Sequence, residues 1–403
     1  MSAKGDSSQQ FKTKNSSKKD GLTKNDSTIK SNHKVFYGNN SEVNRVGYSD
    51  YNDFLDQEDS KQRMEGFDQE YSDIVDYIMK ITHRIWEEKG IGIIYDTYHN
   101  DVEIHAGSQN ITGIKEVIAG TLQTLHAFPD RKLMGENVIW SKYDKKGYFS
   151  SHRVMSTATN LGDSKFGSAT GRKVNFRTVA ECVVHNNRIH KEWLVRDNLW
   201  IVKQLGFDPH QVAKKMAEAS RDKVPALQSD FGVEETMNGQ FFPKRYQAKD
   251  SSVGELVLEM CNRIYECRLF NEVKDYYSDN AVVHYICNKD LVGYSQIQGM
   301  LISLFASFPN ASYSIDRVVC NQKDNPNDWD VSVRWRLRGL HEGRGYFGEP
   351  SGKLVEILGV NHYHIIDDKV VEEWVTFDGL DVLRQIYLDG DKGGDSYDKD
   401  EGC

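Results

Sequence analysis

The chain has 403 residues, of which 38% are hydrophobic and 28% charged, with a formal charge of −9. That is enough apolar material for two or three domain cores, which excludes a wholly disordered protein, and 7 prolines against 32 glycines exclude collagen-like and proline-rich classes. The negative charge argues against nucleic acid as the main ligand, and no apolar run approaches the roughly 20 residues that span a bilayer, so neither nucleic acid nor membrane is an expected partner.

In chain order, residues 1–65 are rich in Ser, Asn, Lys, Asp and Gln and read as a disordered polar arm, since they offer too little apolar surface to offset ordering entropy. No apolar stretch follows the first lysines, so no secretory signal is expected. Six scattered cysteines without a CxxC pair read as free thiols, and a cytoplasmic location follows. Ile74, Ile78, Ile81 and Ile85 then fall on one helical face. A second amphipathic helix uses Ile114, Val117, Ile118, Leu122 and Leu125. Alternation predicts strands over 147–160, 172–186 and 188–197, with a tight turn at Asn186-Asn187. Residues 208–250 read as a linker with a helix opening at Pro209.

The pattern then returns. Residues 68–207 and 251–388 share landmarks at an offset of about 180. Leu125-His126-Ala127-Phe128-Pro129-Asp130 answers Leu304-Phe305-Ala306-Ser307-Phe308-Pro309-Asn310, Gly113 answers Gly293, and Arg188–Trp193 answers Lys369–Trp374. The second copy's helices use Val253, Val257, Met260 and Ile264, then Ile297, Met300, Leu301, Leu304 and Phe305. Its strands fall at 329–341, 353–367 and 369–378, with Asp367-Asp368 at the turn. Helices first and a mainly antiparallel sheet later mean an α+β fold, twice over, followed by an acidic tail at 389–403.

The chemistry points to the end of each last strand. Trp193 and Asp197, four apart, share a strand face, as do Trp374 and Asp378. An aspartate at the apolar mouth of a pocket is desolvated and its pKa rises, which suits it to move a proton beside a carbonyl. The same two aspartates can instead cap the helices that follow them. His105 and His284 correspond, as do Arg153 and Arg334; with His152, His341 and His362 they are candidate substrate-binding groups, and Trp193 and Trp374 suit a ring-tolerant cavity. His362 and His364 share a face, but the first copy has Glu181 and Val183 there, so no metal is expected. No dinucleotide, nucleotide-phosphate, serine-hydrolase or zinc-protease motif occurs.

Residues 171–177 (GRKVNFR), 187–197 (NRIHKEWLVRD) and 202–206 (VKQLG) resemble the C-terminal signature of SnoaL-like polyketide cyclases, in the nuclear transport factor 2-like superfamily. The second copy's Gly339-Leu340-His341-Glu342-Gly343, Pro350-Ser351-Gly352-Lys353 and Asp368–Trp374 with Asp378 are similar to that family's GTHxG, PTGK and GKIxExWxxxD pattern. The resemblance implies tandem cone-shaped α+β barrels and cofactor-independent acid/base catalysis, by cyclisation, isomerisation or a lyase step, on a small carbonyl-containing or polyketide-like molecule. It maps the general acid/base to Asp197 and Asp378. The first copy departs from the pattern with Asn160 in place of the histidine. The superfamily also implies an alternative, a non-catalytic small-molecule-binding or dimerisation module. The two copies would pair as an intramolecular pseudo-dimer, or the chain as a homodimer.

Overall fold

A computed structural model describes residues 35–55, 60, 62–220 and 245–388. In the first domain, helices α2 (Ile74–Trp86), α3 (Ile93–Thr97) and α4 (Ile114–Ala127) alternate with a sheet of strands β3 (Tyr98–Ala106), β4 (Gln109–Thr112), β5 (Lys132–Asp144), β6 (Gly147–Thr159), β7 (Lys173–His185) and β8 (Arg188–Arg196), closed off by α5 (Asn198–Leu205). Helix α6 (Pro209–Ser220) leads towards the second domain. There the helices are α7 (Val253–Cys261), α8 (Val273–Tyr276), α9 (Gly293–Ser307) and α10 (Gly379–Tyr387). The strands are β9 (Tyr277–Tyr285), β10 (Lys289–Val292), β11 (Ser312–Gln322), β12 (Asp328–Leu340), β13 (Leu354–Ile366) and β14 (Lys369–Phe377).

The three strands predicted in each copy form within a residue or two of their expected limits, because their alternation matches a sheet buried on one side by helices. Asn186, Asn187, Asp367 and Asp368 all take positive φ, the left-handed geometry a two-residue hairpin demands. Each sheet has seven strands and runs from one edge to another, so the expected barrels are open sheets. The predicted burial of the second helix holds in only one copy. Ile297, Met300, Leu301, Leu304 and Phe305 of α9 are all buried, whereas Leu122 of α4 stands 51% exposed.

The polar arm is the main correction. Residues 35–55 are folded, and they straddle the two domains. Strand β1 (Val35–Gly38) pairs in parallel with β11 of the second domain, and β2 (Ser49–Asp50) pairs with β5 of the first. Helix α1 (Tyr51–Leu55) then buries Tyr51 and Phe54 in the first core. Averaging over 65 residues hid the apolar side chains Val35, Phe36, Tyr37, Tyr51, Phe54 and Leu55 among polar neighbours. The remainder of the arm before Val35, the linker residues 221–244 and the tail 389–403 lie outside the described residues.

The outer faces of the two sheets pack on each other within the chain. Ile139, Phe149 and Val183 of the first sheet meet Val319 of the second, and Val179 and Val195 meet Leu358 and Val360. Where β5 approaches β11, the Asn321 side chain accepts from the Trp140 N–H and donates to the Trp140 carbonyl, both at 2.8 Å, and thereby imitates a strand partner. Gly38 passes close by: a Cβ there would lie 2.2 Å from the Trp140 carbonyl oxygen.

Candidate active site

Two concave faces, one per sheet, point away from this seam and towards the helices. Each carries a buried glutamate one residue before the tryptophan of its last strand. Glu192 accepts from the Tyr98 hydroxyl at 3.1 Å, and Glu373 from the Tyr277 hydroxyl at 2.7 Å. The pairs are equivalent: β3 and β8 run parallel with Tyr98 beside Ile189, and β9 and β14 run parallel with Tyr277 beside Val370. Burial pushes both carboxyls up to about 7, against the hydrogen bonds, and at Glu192 also the Arg196 charge, that pull them down.

Glu373 is the more elaborately held. Asn361 donates to it at 2.7 Å and Tyr265 at 3.4 Å, while Asn361 itself accepts from the Trp335 indole at 2.7 Å. Tyr265, Trp335 and Asn361 also line a cavity of about 20 Å³, with Tyr285, Tyr313 and, from α9, Met300, Leu301 and Leu304. That is room for one water. Tyr285 is 6% exposed and its hydroxyl has no partner among the described residues.

The predicted aspartates, Asp197 buried and Asp378 half-buried, are both raised, but they stand at the seam. Asp197 accepts from Trp200 N at 3.0 Å as the N-cap of α5, and its other oxygen accepts from Cys287 N across the seam. Asp378 accepts from Leu380 N and Asp381 N as the N-cap of α10, and from the Asn198 side chain. Burial pushes Asp197 up to about 6 and raises Asp378 too, with Asp381's charge adding to the second. Beside Asp197 lies a seam cavity of about 10 Å³.

The SnoaL-like polyketide cyclase family model matches residues 77–205 and again 255–386, well over half of the chain. The chain belongs to the SnoaL-like polyketide cyclase family. Similar solved structures include a SnoaL-like protein from Jannaschia sp. CCS1, 19% identical over 36% of this chain and 100% of that one, with a TM-score of 0.30. Others are TsrD from Streptomyces laurentii (16% identical, 33% and 94% covered, TM-score 0.29) and IdmH from Streptomyces antibioticus (16% identical, 34% and 98% covered, TM-score 0.28). No curated protein matches the sequence.

Within these SnoaL-like domains most of the other predicted residues lie outside the concave faces. Arg334 sits 3.6 Å over the Trp193 ring, which also stacks on His105. Reciprocally, Arg153 sits 3.5 Å over Trp374, which stacks on His284. The arginines cross the seam and are neutralised there, Arg153 by Glu136 at 2.9 Å and Arg334 by Glu181 at 3.0 Å. His362 meets Ser151 at 2.8 Å in the same layer. His341 is buried against Ser351 at 3.1 Å, and Asn160 holds Thr170 N at 2.9 Å in the first domain, so the family's histidine position pins a loop in both copies. Only His152 faces a domain interior, where the Tyr51 hydroxyl meets it at 3.0 Å and burial pushes it down to about 3.

The glutamates were missed because the four-residue spacing from Trp to Asp finds one face correctly but does not say which. A bulge between Val370 and Glu372, matched by one between Ile189 and Lys191, sets the alternation that turns Glu373 and Glu192 inward. The available signal was a Glu before Trp in both copies, together with Tyr98 and Tyr277 at the opening of equivalent strands.

Proposed function

We propose that the second SnoaL-like domain carries out acid/base chemistry on a small carbonyl-containing molecule, with Glu373 as the proton store. The carrying observation is a buried carboxyl at about 7, held by Tyr277, Asn361 and Tyr265, of which Asn361 and Tyr265 also line an aromatic cavity. A carboxyl poised near neutrality exchanges protons in both directions at little cost. Tyr265, which bonds the carboxylate and lines the cavity, is the group that would touch the substrate, and the unpartnered Tyr285 hydroxyl suits a carbonyl oxygen. A ligand larger than water enters once the wall repacks, and the unbranched Met300 is the most adaptable part of it. In this reading Asp197 and Asp378 are positioning residues that cap helices and tie the domains together.

The test is exchange of α-protons for deuterium in a panel of cyclic ketones and aryl diketones, followed by NMR. Glu373→Gln should lower the exchange at least about 100-fold, while Asp378→Asn keeps it within about tenfold. Exchange undiminished in Glu373→Gln removes this reading. The alternative, a non-catalytic binding or assembly module, draws on the small cavity and the closely bonded seam; it requires that no member of the panel exchange faster than in buffer.

A further inference from the structure

At two positions the first domain's concave interior carries an arginine where the second has none. Arg131, immediately after Pro129-Asp130, stands where the second copy has Ala311; Arg196, before the capping aspartate, stands where it has Phe377. Arg131 is only 4% exposed. Its Nε and one terminal nitrogen both reach the Ser156 hydroxyl, at 3.1 and 2.9 Å, and the other terminal nitrogen is buried with no partner among the described residues. Its guanidinium lies 4.4 Å from the Trp86 ring and 5.3 Å from the Phe176 ring. Arg196 lies 5.6 Å from that same Phe176 ring, and its polar contact is a long 3.4 Å bond to Thr178.

Among the described residues neither guanidinium has a carboxylate within ion-pairing distance, although elsewhere in this fold the buried arginines Arg153, Arg334 and Arg384 each have one. Two like charges beside one ring, Arg131 buried and Arg196 half-buried, with no carboxylate in ion-pairing contact, are costly, and buried cations are ordinarily paired. Burial, and next the repulsion of Arg196, pushes the Arg131 pKa down. The carboxylates whose charge reaches Arg196 are Asp378, which is committed to its own hydrogen bonds, and Glu192, which burial pushes up to about 7.

We infer that the concave interior of the first domain is a binding site for an oxyanion, a carboxylate or phosphate group on a flat apolar body, with Arg131 and Arg196 as its charge partners and Phe176 and Trp86 as its stacking surfaces. Guanidinium is suited to this because its planar fork matches both groups. The site is independent of the proton chemistry assigned to Glu373.

The test is thermal unfolding of the full chain with benzoate, 2-naphthoate or inorganic phosphate, against benzamide and against sodium chloride at equal ionic strength. At least one oxyanion should raise Tm by roughly 3 °C or more over the chloride control. A rise with the carboxylates alone marks a carboxylate ligand, and one with phosphate alone a phosphorylated one. Arg131→Met and Arg196→Gln, each alone, should abolish the rise, and Glu373→Gln should retain it. Without ligand, Arg131→Met should melt no lower than wild type, because an uncompensated cation has gone. No rise with any of the three anions, or a rise that survives in Arg196→Gln, overturns the assignment; the Arg196 variant serves even if Arg131→Met does not fold.

Discussion

The two concave interiors began as one design and have diverged. Each keeps a tyrosine–glutamate pair, Tyr98 with Glu192 and Tyr277 with Glu373. Around the second pair stand neutral groups: Asn361, Trp335, Tyr265 and the buried apolar face of α9. Around the first stand Arg131, Arg196 and His152, with Tyr51 brought in from the arm. Duplication left one interior with guanidinium groups while the other is lined by neutral ones. The seam, by contrast, kept reciprocal Arg–Trp contacts, of 3.5 and 3.6 Å. Side chains on the mating surfaces constrain each other across it, and those in the separate interiors do not.

The sharpest way to break this contrast is to treat the two glutamates alike. Glu373→Gln should reduce α-proton exchange at least about 100-fold, and Glu192→Gln should change it less than about threefold; equal losses would mean that the interiors act alike. With Glu373 as base, the wild-type exchange rate should climb with pH through about 7 and level off above it.

Next is stability. Glu373's folded pKa lies above its unfolded value, so between about pH 5 and 8 the native state holds the proton more tightly than the unfolded chain, and stability drains away as pH rises. Glutamine has no such penalty. The stability of Glu373→Gln relative to wild type should therefore improve by a few kcal/mol across that window, as measured by urea unfolding at each pH. The difference between the two proteins is the readout, because His152, held down at about 3, gives the opposite slope in both.

Asn321→Ala should cost about 2–3 kcal/mol, since it strands a buried N–H and a buried carbonyl of Trp140. Asp197→Ala, which removes a cap and the Cys287 contact, should cost about 1–2 kcal/mol. Denaturant titration measures both; a cost near zero for Asn321→Ala would show that the seam does not depend on its imitation of a strand.

Much of the fold was legible because it rests on local rules. Isoleucines at helical spacing became α2, alternating runs became β6–β8 and β12–β14, and Asn-Asn and Asp-Asp marked hairpins. The repeat itself gave the domain organisation. What local rules do not carry is which sheet face meets a helix and which meets another sheet. Trp193 and Asp197 read as pocket or as helix cap, and only the partner domain's Arg334 and Cys287 place them at the seam. Burial of the aspartates was legible from the chain; its cause, a second sheet, was not. Strand β1 was hidden for the same reason, since its partner β11 lies in the other half of the sequence.

That separation has a consequence during synthesis. Val35 leaves the ribosome roughly 280 residues before Val318, the residue it pairs with. At about 5–20 residues per second the wait is on the order of 15–60 s. Throughout it Val35, Phe36 and Tyr37 have no native place, and a first domain already able to fold must hold its leading strand in reserve. The nascent chain thus carries this apolar strand without its native partner for most of its elongation.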